Sequence, residues 1–212
     1  MYLNDNIEIT NEDNMLLMAR YPDNYFDLAV VDPPYGIDVT KMNMGGRKRN
    51  AEDKNKSWDT GIPDDNYFKE LFRVSKNQIV WGGNYFDLPP SQYFAIWDKG
   101  ETMYGRSFAE CEYAWVRSGG TRIYKKNPNQ LGRIHPTQKH VQLYEFIFKN
   151  YAKQDFKILD THFGSGSIAI ALNKVNLHEK MNLSLTACEL DEEYFFQSVN
   201  RIKAELMVQC LF

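Results

Sequence analysis

Three short segments of this chain place acids, aromatic rings and glycines where chemistry could use them. The first, "LAVVDPPYGI" (residues 28–37), runs from four apolar residues straight into an acid, two prolines, a tyrosine and a glycine. Proline donates no backbone hydrogen bond and fixes its own φ, so Pro33 and Pro34 must end the strand. The residue before a proline is held extended, which stands Asp32 at the strand's carboxyl tip. One spot therefore carries the Asp32 carboxylate, the rigid carbonyl of Pro33 and the ring of Tyr35.

The second segment is "KILDTHFGSGSIAIA" (157–171), where Asp160 ends an apolar strand and Gly164-Ser165-Gly166 turns tightly into a helix. Glycines at such a turn let a ligand approach the backbone closely. The next strand ends in Glu189, at the distance from which an acid accepts hydrogen bonds from ribose hydroxyls. The spacing is that of a nucleoside-binding βαβ unit. The turn is not G-x-G-x-x-G and no phosphate-loop lysine follows, which points to a nucleoside cofactor without a pyrophosphate. A plain structural turn is the competing reading of the glycines alone. The third segment, "RIHPTQKHVQLYEF" (133–146), packs His135, Thr137, Gln138 and Lys139 before an apolar helix. Its bland reading is a helix start, with Thr137 capping and Pro136 blocking any upstream continuation.

These segments need elements to position them. The pattern predicts strands at "IEIT", "FDLAVVD", "QIVWGG", "YFAIWDK", "CEYAWVRS", "KILD" and "SLTACEL", and helices over "NMLLMARY", "DNYFKELFRVS", "VQLYEFIFKNYA" and "SIAIALNKV". A closing helix follows Asp191, which can cap it, with Phe195, Val199, Ile202 and Leu206 on one face. Strands alternating with helices imply a mostly parallel sheet covered on both faces. In such sheets ligands sit beyond the carboxyl ends of the strands, at the topological switch point. All three strand-end acids fall there. Residues 38–57 are polar and aperiodic and read as a mobile loop, a length that is usually functional or disordered.

Composition narrows the class. With 212 residues, 43% hydrophobic, one catalytic domain over 1–212 is the natural size. No run of about 18 apolar residues predicts a membrane span, and "MYLNDNIEIT" does not resemble a signal peptide. Cys111, Cys188 and Cys210 lack metal or disulfide spacing, so no metal is expected and a reduced cytoplasmic setting fits. A net charge of −3 leaves any nucleic-acid contact to local charge. From Tyr113 to Tyr144 there is no Asp or Glu, while Arg117, Arg122, Lys125, Lys126, Arg133 and Lys139 all fall there. Arg47, Lys48 and Arg49 add charge in the loop. A solvated basic face is the ordinary alternative.

Taken in order, "DPPY", "HPTQK" and "DTHFGSGS" followed by "ACELDEEYF" resemble the S-adenosylmethionine-dependent amino-methyltransferases of DNA, in their permuted β group. "IVWGGNYF" and "SFAECEYAW" also resemble small phage- or prophage-borne members. The resemblance covers nearly the whole chain. It implies a Rossmann-like α/β fold with a seven-stranded, mostly parallel sheet, one strand antiparallel, and the motif order circularly permuted. It implies that Asp160, Phe163, Gly164, Ser165 and Gly166 cradle the cofactor and that Glu189 takes its ribose. His135 joins them, with Thr137 and Gln138 at the methionine end and Asp13 at the adenine. Thr161 and His162 stand where the family usually has proline and phenylalanine, a departure from its pattern at a position, His162, that the resemblance counts among the cofactor contacts. His140 stands where the family ends this motif in proline, a change expected to be mild.

The resemblance also explains the spot at Asp32. An exocyclic amine on an aromatic ring is a poor nucleophile, because its lone pair is drawn into the ring. Acceptors on its two N–H bonds favour a pyramidal nitrogen and accommodate its developing charge. Asp32 and the Pro33 carbonyl are those acceptors, Pro34 stiffens the turn, and Tyr35 stacks a base flipped out of the duplex. DNA would lie along Arg47, Lys48, Arg49, Arg122, Lys125 and Lys126, with a small recognition segment at about 100–134. Aspartate in "DPPY" favours adenine N6 over cytosine N4, where serine is commoner. Methylation of RNA or of a protein glutamine amide and a catalytically inactive DNA-binding module are the competing classes. A homodimer and a cognate restriction enzyme are allowed by the resemblance and required by nothing in the chain.

Overall fold

The acids read from the sequence stand at the carboxyl edge of one large sheet. The computed structural model describes residues 1–37, 61–106, 109–130, 132–135 and 137–209. The loop reading at 38–57, with Arg47, Lys48 and Arg49, falls outside them, as does Pro136. In chain order the elements are β1 (Tyr2–Asn4), β2 (Ile7–Asn11), α1 (Asn14–Ala19), β3 (Phe26–Val31), α2 (Asp65–Val74), β4 (Ser75–Trp81), β5 (Tyr93–Asp98), β6 (Cys111–Val116), β7 (Arg122–Lys125), α3 (Val141–Tyr151), β8 (Lys157–Asp160), α4 (Ser167–Glu179), β9 (Ser184–Glu189) and α5 (Glu192–Gln209).

Among the described residues nine strands join the sheet, in the spatial order β1-β2-β9-β8-β3-β4-β6-β5-β7. Strands β2, β9, β8, β3 and β4 are parallel, while β6 runs against both β4 and β5. Those seven are the sheet the sequence predicts, with β6 the antiparallel one. The count of seven is corrected by two edge strands, β1 antiparallel to β2 and β7 parallel to β5. Both are short, three and four residues, and "RIYK" carries no run of apolar residues to announce it. From β3 the chain winds outward to β4, and from β8 it winds the other way to β9. The order therefore reverses between β8 and β3, where Asp160 and Asp32 stand side by side.

Alternation along the central strands builds the two layers. Leu28 and Val30 of β3 pack with Leu143, Ile147, Ile168, Leu172, Val199 and Ile202 of α3, α4 and α5. Ala29 and Val31 pack on the other face with Leu17 and Met18 of α1 and Tyr67, Phe68 and Leu71 of α2. Each fully buried large apolar side chain contributes about 1.5–3 kcal/mol. Polar residues set the helix starts. Asp13 accepts from the Met15 amide at 2.8 Å, Asp64 from Tyr67 at 3.0 Å, and Asp191 from Tyr194 at 2.9 Å, as expected for α5. Helix α3 begins after His140 without a side-chain cap, so Thr137 does not cap it. Among the described residues no helix is long and apolar enough to cross a membrane.

Candidate active site

Side chains from β6, the start of α3 and the end of β4 converge on Asp32. Its Oδ1 accepts a 2.6 Å hydrogen bond from the Tyr35 hydroxyl, and its Oδ2 accepts from the ammonium of Lys139. Lys139 is buried and lies 3.7 Å from Oε2 of Glu112 on β6; Oε1 of Glu112 is paired with Lys99 at 2.9 Å. Although burial works to raise it, the Glu112 carboxyl is held below the usual range by these two cations. Burial, and then the Asp32 charge, push the Tyr35 phenol well up, so it remains a donor.

Tyr35 is walled in by the end of β4. Its ring stacks on Tyr85, centroids 4.8 Å apart and planes 10° from parallel. Gly82, at φ +67°, passes so close that an added Cβ would sit 2.6 Å from Cζ of Tyr35. Glycine meets both demands at once, since it tolerates positive φ and needs no room for a side chain. The ring expected to stack a base therefore already has an aromatic neighbour, and its hydroxyl has a task of its own on Asp32.

The glycine turn lies across the switch point. Glu189 accepts from the Gly164 amide at 2.7 Å and from the Asp191 amide at 2.9 Å. Burial raises its carboxyl, partly offset by those amides. Asp160 is 2% exposed, accepts from the His162 amide at 3.0 Å, and is pushed up by burial to about 8. Gly164 and Gly166 both have positive φ, +51° and +71°. Phe163 is buried beneath the turn. Ser165 and Ser167 share a 3.1 Å hydrogen bond, and Arg201 of α5 donates to the Ser165 carbonyl at 2.8 Å and to the Ser167 hydroxyl at 2.9 Å. His135 packs its ring 4.4 Å from that of Tyr194 and beside Gly164.

The remaining expected contacts are more committed to the protein. Asp13 caps α1 through its Oδ1. Gln138 is buried, its Oε1 accepting from the Ile134 amide at 3.0 Å and its amide donating to Gln130 at 3.2 Å. The Thr137 hydroxyl meets His135 Nδ1 at 3.1 Å. His162 bridges Thr161 (3.0 Å) and Asn14 (3.3 Å), and burial lowers it to about 3, so the ring is neutral. His140 donates through Nε2 to the Asn127 carbonyl at 2.9 Å and packs against Trp97.

The basic stretch does not form one stripe. Lys139 leaves it altogether for Asp32. Strand β7 runs parallel to β5, so Arg122 starts it at one end of the sheet while Lys125 finishes it, with Lys126 next, at the carboxyl edge near the site. Lys125 is exposed and paired with Glu101 at 2.9 Å. Lys99, Glu112, Lys139, Gly82, Tyr85 and Arg201 are the residues whose site positions sequence reasoning missed. All but Arg201 lay within segments read as strands or motifs, but no spacing rule joins β6 to the start of α3.

The geometry can be set beside known proteins. Residues 91–200, just over half of the chain, match the model of a family described as DNA methylase, N6/N4 type. The chain is 25% identical over 181 residues to "Putative methylase YubD" of Escherichia coli (strain K12), covering 75% of this chain and 76% of that protein. Its fold is similar to the crystal structure of the M1.HpyAVI–SAM complex (TM-score 0.58, 15% identity, 92% of this chain and 98% of that one). It is similar also to PvuII DNA methyltransferase, a cytosine-N4-specific enzyme (TM-score 0.58, 11% identity, 97% and 94%).

Proposed function

The chain belongs to the DNA methylase family of N6/N4 type, and from that premise we propose that it moves the methyl group of S-adenosylmethionine onto the exocyclic N6 amine of an adenine turned out of DNA. The observation that carries the reading is the Asp32 carboxylate, fixed from both sides by Tyr35 and Lys139, directly across the switch point from Asp160 and the glycine turn.

The donor set fits the cofactor. Two carboxyls, the buried Asp160 and the half-buried Glu189, flank a turn at which Gly164 has room where a Cβ would stand, while Gly166 packs on Phe163 and Ile202. A cationic amino acid end and a ribose diol are the groups such a pair receives. S-adenosylmethionine, when bound there, supplies a methyl group on a positively charged sulfur. The protein's own work is then alignment, which converts an encounter into a near-attack geometry. Asp32 and the Pro33 carbonyl accept the two amine N–H bonds, and Tyr85, exposed and stacked on Tyr35, offers a ring face to the extruded base. A methyl group passed from that sulfur would leave positive charge on the amine nitrogen, where the Asp32 carboxylate would stabilise it until the surplus proton is lost to water. Lys125 and Lys126 supply phosphate contacts at the carboxyl edge. Adenine is favoured by aspartate in "DPPY". Cytosine N4, the target named for PvuII methyltransferase, is the second reading.

The two acids of the cofactor side each give an expected result. Asp160, raised to about 8, is mainly protonated at pH 7 and must ionise to meet a cation. Binding is expected to release close to one proton per cofactor at that pH, and to tighten as pH rises toward 8, because the free protein holds the proton and the complex does not. Calorimetry in buffers of different ionisation heat reads this directly; proton uptake or no exchange would contradict it. Glu189→Gln leaves one acceptor oxygen where two are used, so affinity for S-adenosylhomocysteine is expected to fall about tenfold to a hundredfold. Unchanged affinity would remove Glu189 from the site.

Transfer of labelled methyl from S-adenosylmethionine to duplex DNA, single-stranded DNA, RNA or protein tests the reading. Label in DNA alone is the expected result.

A further inference from the structure

We propose that Lys139 is a positioning residue that holds Asp32 ready for the target amine, and that Glu112 is the second seat to which its ammonium moves when the amine arrives. The inference rests on the methyl-transfer reading and deepens it. Lys139 has a side chain only 3% exposed, so its charge cannot be balanced by solvent. The carboxylates of Asp32 and Glu112 balance it instead, and Lys99 pairs with Glu112 beyond them, giving the order Lys99, Glu112, Lys139, Asp32.

The two contacts of Lys139 are unequal. Its Nζ is hydrogen-bonded to Asp32 Oδ2 and stands 3.7 Å from Glu112 Oε2, beyond hydrogen-bond reach but within an ion pair. Glu112 is kept in register by Lys99 through its other oxygen, so Oε2 remains turned toward Lys139. The root of Lys139 is anchored as well. Its carbonyl accepts from the Ser167 hydroxyl at 2.8 Å, and Ser167 is in turn held by Arg201. Movement is left to the stem. On Asp32 the ammonium lies 5.2 Å from the ring centre of Trp81 and 5.9 Å from that of Tyr35, so this seat lies beside two aromatic rings.

Chemistry supplies the reason to move. Before the reaction Asp32 without a cation would be a partly buried, uncompensated charge, which is costly. During the reaction the amine nitrogen gains positive charge next to the same carboxylate. A lysine ammonium left on Asp32 would then oppose that charge and weaken the acceptor. Shifting onto Glu112 removes the opposition without sending a cation into water. The same Ser167 contact ties the root of Lys139 to the first residue after the cofactor turn, so cofactor and base sites share this lysine.

Single-turnover transfer to duplex DNA, with separate titrations of cofactor and DNA, tests the proposal in wild type, Glu112→Gln, Asp32→Asn, Lys139→Met and the two double variants that join Glu112→Gln to each of the others. Glu112→Gln keeps the shape and a hydrogen bond to Lys99 but weakens the second seat. It is expected to slow transfer about tenfold to a hundredfold while both affinities stay within about twofold. Because Glu112 acts only through Lys139 on Asp32, adding it to Lys139→Met or to Asp32→Asn is expected to cost nothing further. Should Lys139→Met fail to fold, the Asp32→Asn cycle decides the same question. Full transfer by Glu112→Gln, or losses that simply add in either cycle, would overturn the inference while an active wild type leaves the methyl-transfer reading standing. A wild-type protein that methylates no DNA would overturn both.

Discussion

Replacing Asp32 by alanine is expected to lower single-turnover methyl transfer by about a hundredfold to a thousandfold, the usual cost of losing one preorganised group where charge develops. The fold should survive. Lys139 keeps Glu112 as an ion partner, and the Tyr35 hydroxyl lies at 3.5 Å from Lys139, so neither is left without a neighbour of opposite character. Cofactor affinity should change little, because Asp160, the glycine turn and Glu189 belong to β8, α4 and β9. DNA affinity is set mainly by phosphate contacts and should also hold. A variant that binds both ligands and transfers at the wild-type rate would remove Asp32 from the chemistry.

Gly82→Ala is expected to cost transfer on the order of a hundredfold, with cofactor binding unaffected. The added Cβ would stand 2.6 Å from Cζ and 2.8 Å from Cδ1 of Tyr35, and the residue would be strained at φ +67°. The collision falls on a ring held from the other side by Tyr85 and by its hydrogen bond to Asp32. Moving that ring moves the carboxylate, and a displacement of about 1 Å at a reacting centre is worth about a hundredfold. The cofactor turn is on other strands. The split between a fallen rate and an unchanged dissociation constant, read by single-turnover transfer and calorimetry, separates this from general unfolding. A glycine placed only for the turn would give a loss of stability with the rate per folded molecule intact.

The strand-end acids Asp32 and Asp160 were legible because each ends a run of apolar residues and is followed closely by proline or glycine, signals that survive without tertiary context. Edge strands β1 and β7 were not legible: three or four residues with one neighbour need little apolar sequence. Lys139 was misread as surface charge for a different reason. Charge in a sequence is ordinarily solvated, and only the fold shows that β6 and the start of α3 bring Glu112 and Lys139 together. Gln138 and Thr137 were read for a ligand, and the fold adds what no spacing announces: their side chains bond to Ile134, Gln130 and His135. Asp13 caps α1, a local task that an acid just before a helix carries in the sequence alone.

Everything proposed for this site turns on Asp32 serving an amine of DNA, and on that amine being N6 of adenine. Mass spectrometry of nucleosides from duplex DNA treated with methyl-labelled S-adenosylmethionine, wild type beside Asp32→Ala, tests it most directly. The expected result is labelled N6-methyladenine from the wild type and at most about a hundredth of it from the variant under single turnover. Labelled N4-methylcytosine would contradict the choice of base, and equal labelling by both proteins would contradict the role of Asp32.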